Sequence, residues 1–238
     1  MIDADGNAGP TIERVAGKHA GVQVIRLRRP EKRNALNEES LVALLRILDG
    51  LQADPAVRCV VLEAEGPIFC AGADIGGYDD RDAEDLAAFT ALANRACAAL
   101  DELPMPAIAA VQGAALGGGF EIVMACDLVI AASNATFGLP ELSLGLIPGW
   151  GGTQRLTALL GARRAKHMIL TGNRLDARRA YDAGLVAMLC EADELTEQAH
   201  AFAGRIAALP RAASAAVLAA VDASTPHERQ SAPGFRFE

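Results

Sequence analysis

Residues 117–132 read GGGFEIVMACDLVIAA and combine three glycines, one glutamate and a long apolar run. A carboxylate is costly to bury unless it is paired or hydrogen-bonded, so Glu121 requires a partner or a chemical role in this segment. The glycines predict a turn, residues 118–126 a helix, and the apolar residues that follow a buried strand. Gly118 and Glu121 would then share the first helical turn, where backbone N–H groups have no helical partner.

The flanking segments alternate between strand and helix patterns. Alternating or continuous apolar runs predict strands at 22–27, 59–64, 107–111, 127–133 and 185–189. Apolar residues at helical spacing predict one helix capped by Asn37 and others over 82–103, 153–160, 163–170, 176–183, 193–209 and 212–221. Residues 113–119 are interpreted as a turn and 136–152 as a long loop. This alternation predicts an α/β fold.

The composition of the 238-residue chain is typical of a globular protein, with 51% hydrophobic and 22% charged residues. The net charge of −8 disfavours nonspecific binding to nucleic acids or anionic membranes. The apolar runs are too short or too interrupted to predict a membrane span, and the N-terminal residues do not resemble a signal peptide. Five scattered cysteines predict reduced thiols, and we therefore expect a cytoplasmic protein.

Several common catalytic signatures are incomplete in this chain. No Walker phosphate-binding loop is present, and Ile122 breaks the GxGxxG pattern that would begin at Gly117. Ser143 lacks the first glycine of a GxSxG motif, and the four histidines are too scattered for a recognisable metal motif. These gaps disfavour a phosphate loop, a serine hydrolase and a metal site.

Two glycine-containing loops can present backbone N–H groups. In CAGADI (70–75) the exposed donor would be Ala73, and in ALGGGFE (115–121) it would be Gly118. Two such amides that converge on one point would form an oxyanion hole. Each loop taken alone also agrees with an ordinary turn.

Two glutamates, Glu121 and Glu141, have apolar neighbours in the sequence. Such surroundings raise a carboxyl pKa towards neutrality, and paired carboxylates of this kind carry out general acid and base catalysis. Each also has a purely structural interpretation. Glu121 could be a carboxylate favoured by the helix N-terminus, and Glu141 a loop residue bonded to local amides.

Taken together, RPEKRNALN, FCAGADI, AAVQGAALGGGFEIVMACDLVIAA and ATFGLPELSLGLIPGWGGTQRL resemble the enoyl-CoA hydratase/isomerase, or crotonase, family. The resemblance runs from about residue 12 to residue 220, and RLDARRAYDAGLV continues it. It implies a crotonase-like spiral of ββα turns over 1–195 and a short C-terminal helical region over 196–238. It also implies acyl-CoA thioester substrates and assembly as homotrimers or dimers of trimers.

The resemblance implies the following site. It places the oxyanion-hole amides on Ala73 and Gly118 and the two hydratase-type carboxylates on Glu121 and Glu141. Gly149 falls beside the attacking water, and Trp150 next to it either shapes the acyl pocket or packs the loop. The positions that line the CoA and acyl site are Lys32, Ala35, Ala71, Asp74 and Ile75. Coenzyme A belongs to the substrate, so no separate cofactor is expected.

The presence of both glutamates favours a hydratase that adds water to a 2-enoyl-CoA. Isomerases of the family work with one carboxylate at the Glu141 position, and hydrolases, lyases and a silent acyl-CoA binding protein are further alternatives. The chain departs from the family in the acidic stretch over 76–89 and in its short C-terminal region. We expect the latter to leave a reduced cover over the acyl pocket.

Overall fold

The strands of the protein lie in two sheets. In the computed structural model, which describes residues 10–76 and 82–224, the larger sheet has six strands. They are β1 (Ile12–Ala16), β2 (Val22–Leu27), β3 (Cys59–Ala64), β4 (Ala107–Val111), β6 (Leu128–Ala132) and β9 (Met188–Cys190), in that spatial order. The β1–β2 pair is antiparallel and the other pairs are parallel.

The smaller sheet pairs β5 (Ala114–Leu116) with β7 (Thr136–Gly138) in parallel and β7 with β8 (Leu175–Asp176) in antiparallel orientation. The described part of the chain also contains eight α-helices. They are α1 (Glu38–Gln52), α2 (Ala83–Asp101), α3 (Gly118–Met124), α4 (Gly152–Leu160), α5 (Ala162–Thr171), α6 (Ala177–Asp182), α7 (Leu195–Ala207) and α8 (Arg211–Ser224). Short 3-10 helices cover Pro30–Lys32 and Glu141–Leu144.

Most predicted elements are confirmed, with end shifts of a few residues. The α/β alternation is present, and the Asn37 side chain caps α1 by accepting a hydrogen bond from the Ser40 N–H at 2.9 Å. The prediction of a turn at 113–119 is wrong, because residues 114–116 form β5. The long loop predicted at 136–152 contains β7 and a 3-10 helix, and the strand predicted at 185–189 occupies 188–190 instead.

The larger sheet is covered by helices on both faces. On one face, Ala199 and Ala203 of α7 pack with Val61 and Ile108 in a buried apolar cluster. The adjacent strand residue, Leu62, points the other way, into the main core with α1, α2 and α3. α7 begins at residue 195, next to the predicted boundary between a core over 1–195 and a C-terminal helical region over 196–238. The division of the chain at this boundary stays a prediction.

Two predicted features fall partly outside the described residues. These are the acidic stretch, of which 77–81 are not described, and the C-terminal region beyond residue 224. Within the described ranges, no single helix is long and apolar enough to cross a membrane. Only α7 and α8 together reach that length and composition, and they are bent by 105°.

Asn34 joins the loops that follow β2 and β3. Its side chain is 2% exposed, and its Nδ2 donates to the carbonyls of Glu65 and Ile68 at 2.8 Å each. Its Oδ1 accepts from the Arg29 N–H at 2.8 Å, and its backbone is left-handed, with φ of 54°. The loop after β3 continues to Ala73, so Asn34 supports one of the two predicted amide donors.

We predict that Asn34→Ala lowers the free energy of unfolding by about 3 kcal/mol or more, because two partly buried carbonyls lose their donor, the Arg29 N–H loses its acceptor, and alanine resists a positive φ. The matched control is Asn37→Ala, which removes a helix cap and should cost about 1 kcal/mol. Urea denaturation followed by circular dichroism compares the two. Equal losses in both variants would contradict this role of Asn34.

Candidate active site

The two predicted amide loops lie side by side. The Leu116 N–H donates to the Cys70 carbonyl at 2.9 Å, and Cys70 and Ala115 form a parallel bridge. Gly72 has a φ of +101°, and a Cβ on it would lie 2.8 Å from the Leu116 carbonyl oxygen and 3.2 Å from the Gly118 nitrogen. Only glycine permits both this conformation and this approach.

The amides of Ala73 and Gly118 are free to bind a ligand. Neither donates a hydrogen bond to another group within residues 10–76 and 82–224. Gly118 is the first residue of α3, where the helix itself provides no acceptor. The geometry therefore places two free donors in neighbouring loops, and their use as an oxyanion hole stays a prediction.

Glu121 lies inside the protein, with 1% of its surface exposed. Its Oε1 accepts hydrogen bonds from the Trp150 N–H at 2.7 Å and the Gly152 N–H at 2.6 Å. Gly152 is the first residue of α4, so the carboxylate caps a second helix rather than only its own. Glu121 also lies in the first turn of α3, so its interpretation as a carboxylate favoured by its own helix N-terminus stays a prediction.

Glu141 differs from Glu121 in its hydrogen bonding. Both of its carboxyl oxygens are buried, and neither has a hydrogen-bond partner within the described residues. Oε1 lies close to Gly117, where a Cβ would be 3.2 Å away. Since Gly117 directly precedes Gly118, the Glu141 carboxyl group lies next to one of the free amides. A buried, unpartnered carboxyl group beside such a donor is typical of a functional site.

Burial raises the pKa of both glutamates. The pKa of Glu121 rises to about 8 because of burial and the nearby charge of Glu141, although the Gly152 and Trp150 amides and Arg155 oppose the rise. Burial raises the pKa of Glu141 to about 7, and its own backbone amide opposes this. Because the two groups interact, the pair retains about one proton near neutral pH.

Trp150 packs directly against the start of α3. A Cβ on Gly118 would overlap the indole ring, which is 5% exposed and lies edge-to-face with Phe89 at 5.9 Å between centroids. Gly149, the neighbouring position predicted to lie beside water, has its carbonyl bound by Asn94 Nδ2 at 2.7 Å. Gly149 and Trp150, the two positions predicted for the water and acyl site, thus belong to the turn whose amides bind Glu121.

The positions expected to line the CoA site lie on two adjacent segments. The Leu36 N–H donates to the Gly72 carbonyl at 2.8 Å, and the Asp74 N–H donates to the Leu36 carbonyl at 2.8 Å. Asp74 also forms an ion pair with Arg29 at 3.1 Å. Of the remaining positions, Lys32 and Ile75 are exposed, Ala71 is partly buried and Ala35 is buried. Their contact with CoA stays a prediction.

The residues that hold the turn at 149–152 were not predicted from the sequence. Asn94 binds its first carbonyl, and Arg155 Nη1 donates to the Trp150 carbonyl at 3.0 Å. The two residues lie on α2 and α4, and only the glycine pair at the start of α4 indicates an unusual helix start. Nothing in their local sequence indicates which loop they contact.

Comparison with known proteins agrees with the geometry. Residues 17–236 match the family described as enoyl-CoA hydratase/isomerase. The chain is 40% identical to a crotonyl-CoA hydratase of Syntrophomonas wolfei over 79% of its length and 73% of that protein's length. A short-chain-enoyl-CoA hydratase of Clostridium acetobutylicum is 41% identical over the same shares.

A solved structure of an enoyl-CoA hydratase from Bacillus anthracis is also similar. Its TM-score is 0.86 at 36% identity, covering 89% of this chain and 82% of that one. The chain belongs to the enoyl-CoA hydratase/isomerase family. The predicted family and its α/β crotonase fold are thereby confirmed.

We predict that Glu121→Gln stabilises the protein at alkaline pH. The pKa of Glu121 lies above its value in the unfolded chain, so stability from the neutral form is lost as pH rises towards about 8. Glutamine stays neutral and keeps an oxygen for the two amides. The melting temperature of the variant minus that of the unmodified protein should be about 3 °C or more higher at pH 9 than at pH 5.

Glu39, which is exposed, provides the control. The melting temperature of Glu39→Gln should differ from that of the unmodified protein by the same amount at pH 5 and at pH 9. A Glu121→Gln effect that does not change with pH would contradict the assigned pKa shift.

Proposed function

We propose that the protein is an enoyl-CoA hydratase, which adds water across the 2,3 double bond of a 2-enoyl-CoA thioester. The observation that carries the proposal is the buried pair Glu121 and Glu141 beside the free amides of Ala73 and Gly118. The names of the relatives support hydration, and two of them support a short acyl chain.

In the proposed reaction, the thioester carbonyl accepts hydrogen bonds from the Ala73 and Gly118 N–H groups. As water attacks C3, negative charge accumulates on that oxygen, so the donors stabilise the transition state more than the substrate. Removal of one such donor typically costs about 100- to 1,000-fold in rate. Gly72 and Gly117 allow the two loops to approach closely, which supports the proposal that both donors reach one oxygen.

The glutamates divide the proton transfers. Without substrate, the higher pKa of Glu121, about 8 against about 7 for Glu141, places the shared proton on Glu121. We assign water activation chiefly to Glu121 in the substrate complex, because two amide donors stabilise its ionised form. This assignment requires the shared proton to move to Glu141 when the substrate binds. We assign delivery of the C2 proton chiefly to Glu141, because its unpartnered oxygens favour the protonated form. Water loses one proton to Glu121 as its oxygen bonds to C3, and Glu141 gives one proton to C2, which completes the syn addition.

Double-bond isomerisation is the first alternative. It requires one carboxylate, at the Glu141 position, and leaves no role for a second carboxylate held as Glu121 is. Absorbance assays with 2-enoyl and 3-enoyl esters distinguish the two reactions. Conversion of 3-enoyl esters without loss of 2-enoyl absorbance would contradict hydration. Release of free CoA would instead indicate a hydrolase, and binding without turnover a silent acyl-CoA binding protein.

The assembly and location of the protein also remain proposals. We propose a homotrimer or a dimer of trimers in the cytoplasm, on the basis of the family resemblance and the free cysteines. Sedimentation velocity tests the assembly, and a mass other than three or six chains would contradict it.

Glu141→Gln should lower kcat for crotonyl-CoA hydration by about 100-fold or more, because the C2 proton donor is lost. The Kd for a saturated acyl-CoA should change by less than about threefold, since glutamine fills the same space. Glu39→Gln serves as the matched control and should retain full activity. Unchanged turnover in Glu141→Gln would contradict the assignment.

The pH dependence of kcat/KM, which reports the ionisable groups of the free protein, should be bell-shaped. Below about pH 7 both glutamates become protonated and the base is lost, and above about pH 8 both ionise and the acid is lost. The maximum should therefore lie between these values in steady-state assays. A rate that stays constant from pH 6 to pH 9 would exclude the pair as the acid and base of the rate-limiting step.

A further inference from the structure

The turn that carries Trp150 and Gly152 has two of its amides and two of its carbonyls bound by other groups of the protein. Its two N–H groups donate to Oε1 of Glu121, as described above. The Gly151 carbonyl accepts the Arg155 backbone N–H at 2.9 Å, and the Trp150 carbonyl accepts Arg155 Nη1 at 3.0 Å. Arg155 of α4 therefore binds two consecutive peptides of the turn. The Gly151 carbonyl shares its peptide plane with the Gly152 N–H, and the Trp150 carbonyl belongs to the peptide before it.

The Arg155 side chain is itself well fixed. It is 16% exposed, and its guanidinium packs against Gly151. Its Nη2 lies 3.5 Å from Oδ2 of Asp101 at the end of α2. The planar guanidinium can bind two partners at fixed angles, which an ammonium group cannot do. Arg155 thus connects the end of α2 to the turn between the 3-10 helix and α4.

We propose that Arg155 is a positioning residue for the Glu121 carboxylate. Its guanidinium holds the Trp150 carbonyl, which belongs to the peptide between the two peptides whose N–H groups donate to Oε1. Fixing this middle peptide keeps the turn in the conformation that directs the Trp150 and Gly152 amides at Oε1. Arg155 does not touch the substrate in this proposal. The effect on hydration rests on the proposed function, whereas the effect on Glu121 itself does not.

The charges around Glu121 agree with this role. Among the described residues, the titratable groups that act on Glu121 or on Arg155 come from four elements and the loop after α3. They are Cys97 and Asp101 of α2, Glu121 of α3, Cys126 after it, Glu141 of the 3-10 helix and Arg155 of α4. Arg155 is the one positive charge in this set, and it favours the ionised form of Glu121.

Arg155→Met tests the proposal and Asp101→Asn is its control. The methionine variant loses the bond to the Trp150 carbonyl, whereas the asparagine variant loses only the ion pair behind it. We expect kcat for crotonyl-CoA to fall about 10- to 100-fold in Arg155→Met with KM changed less than about threefold. Asp101→Asn should retain kcat within about threefold.

A second readout does not depend on activity. Carbon-13 NMR of protein labelled at the glutamate carboxyl carbon, with Glu121 assigned from Glu121→Gln, follows its titration directly. The titration should move to higher pH in Arg155→Met and stay in place in Asp101→Asn. If the methionine variant fails to fold, Arg155→Lys keeps the charge but loses the two-partner geometry, and it should show a smaller shift in the same direction.

The two proposals fail in different ways. An unmodified protein that hydrates no enoyl-CoA would contradict the proposed function. An unchanged Glu121 titration in the arginine variants, or equal loss of kcat in Arg155→Met and Asp101→Asn, would overturn the role of Arg155 and leave it a structural ion pair.

Discussion

The site depends on one carboxylate, Glu121, which is buried at the start of α4 and bound there by two backbone amides. Burial in an apolar core would otherwise exclude the ionised form of this group, and the two amides restore part of the stabilisation lost with water. The same bonds fix the turn at 149–152 relative to α3. The close packing of Trp150 against Gly118 follows from that turn.

The second carboxyl group of the site, that of Glu141, lacks the hydrogen bonds that Glu121 has. Its oxygens are buried and have no hydrogen-bond partner within 10–76 and 82–224, whereas nearly all buried polar groups in proteins have one. The proximity of the two glutamates makes simultaneous ionisation unfavourable, so a single proton near neutral pH is the low-energy arrangement. One base and one acid are what the addition of water to a conjugated thioester requires. The unfavourable burial of Glu121 and Glu141 is thus explained by the proposed reaction.

The sequence predicted the helices and central strands well, because their apolar patterns are local. It did not predict β5 or β7, which are three residues long and form by pairing with each other. Family motifs identified Ala73, Gly118, Glu121 and Glu141, whereas the glycines alone also agreed with ordinary turns. The contacts of Arg155 could not be predicted, because they link residues of α2, α4 and the intervening turn through folding rather than through a sequence pattern.

The central claim is that the free amides and the two glutamates act on one bound thioester. A crystal structure with butyryl-CoA, which has no double bond to hydrate, tests this most directly. We predict a carbonyl oxygen within hydrogen-bond distance, about 3 Å, of both the Ala73 and Gly118 nitrogens, with C2 and C3 facing Glu141 and Glu121. A carbonyl bound elsewhere, or an acyl chain pointing away from both carboxyl groups, would contradict the account.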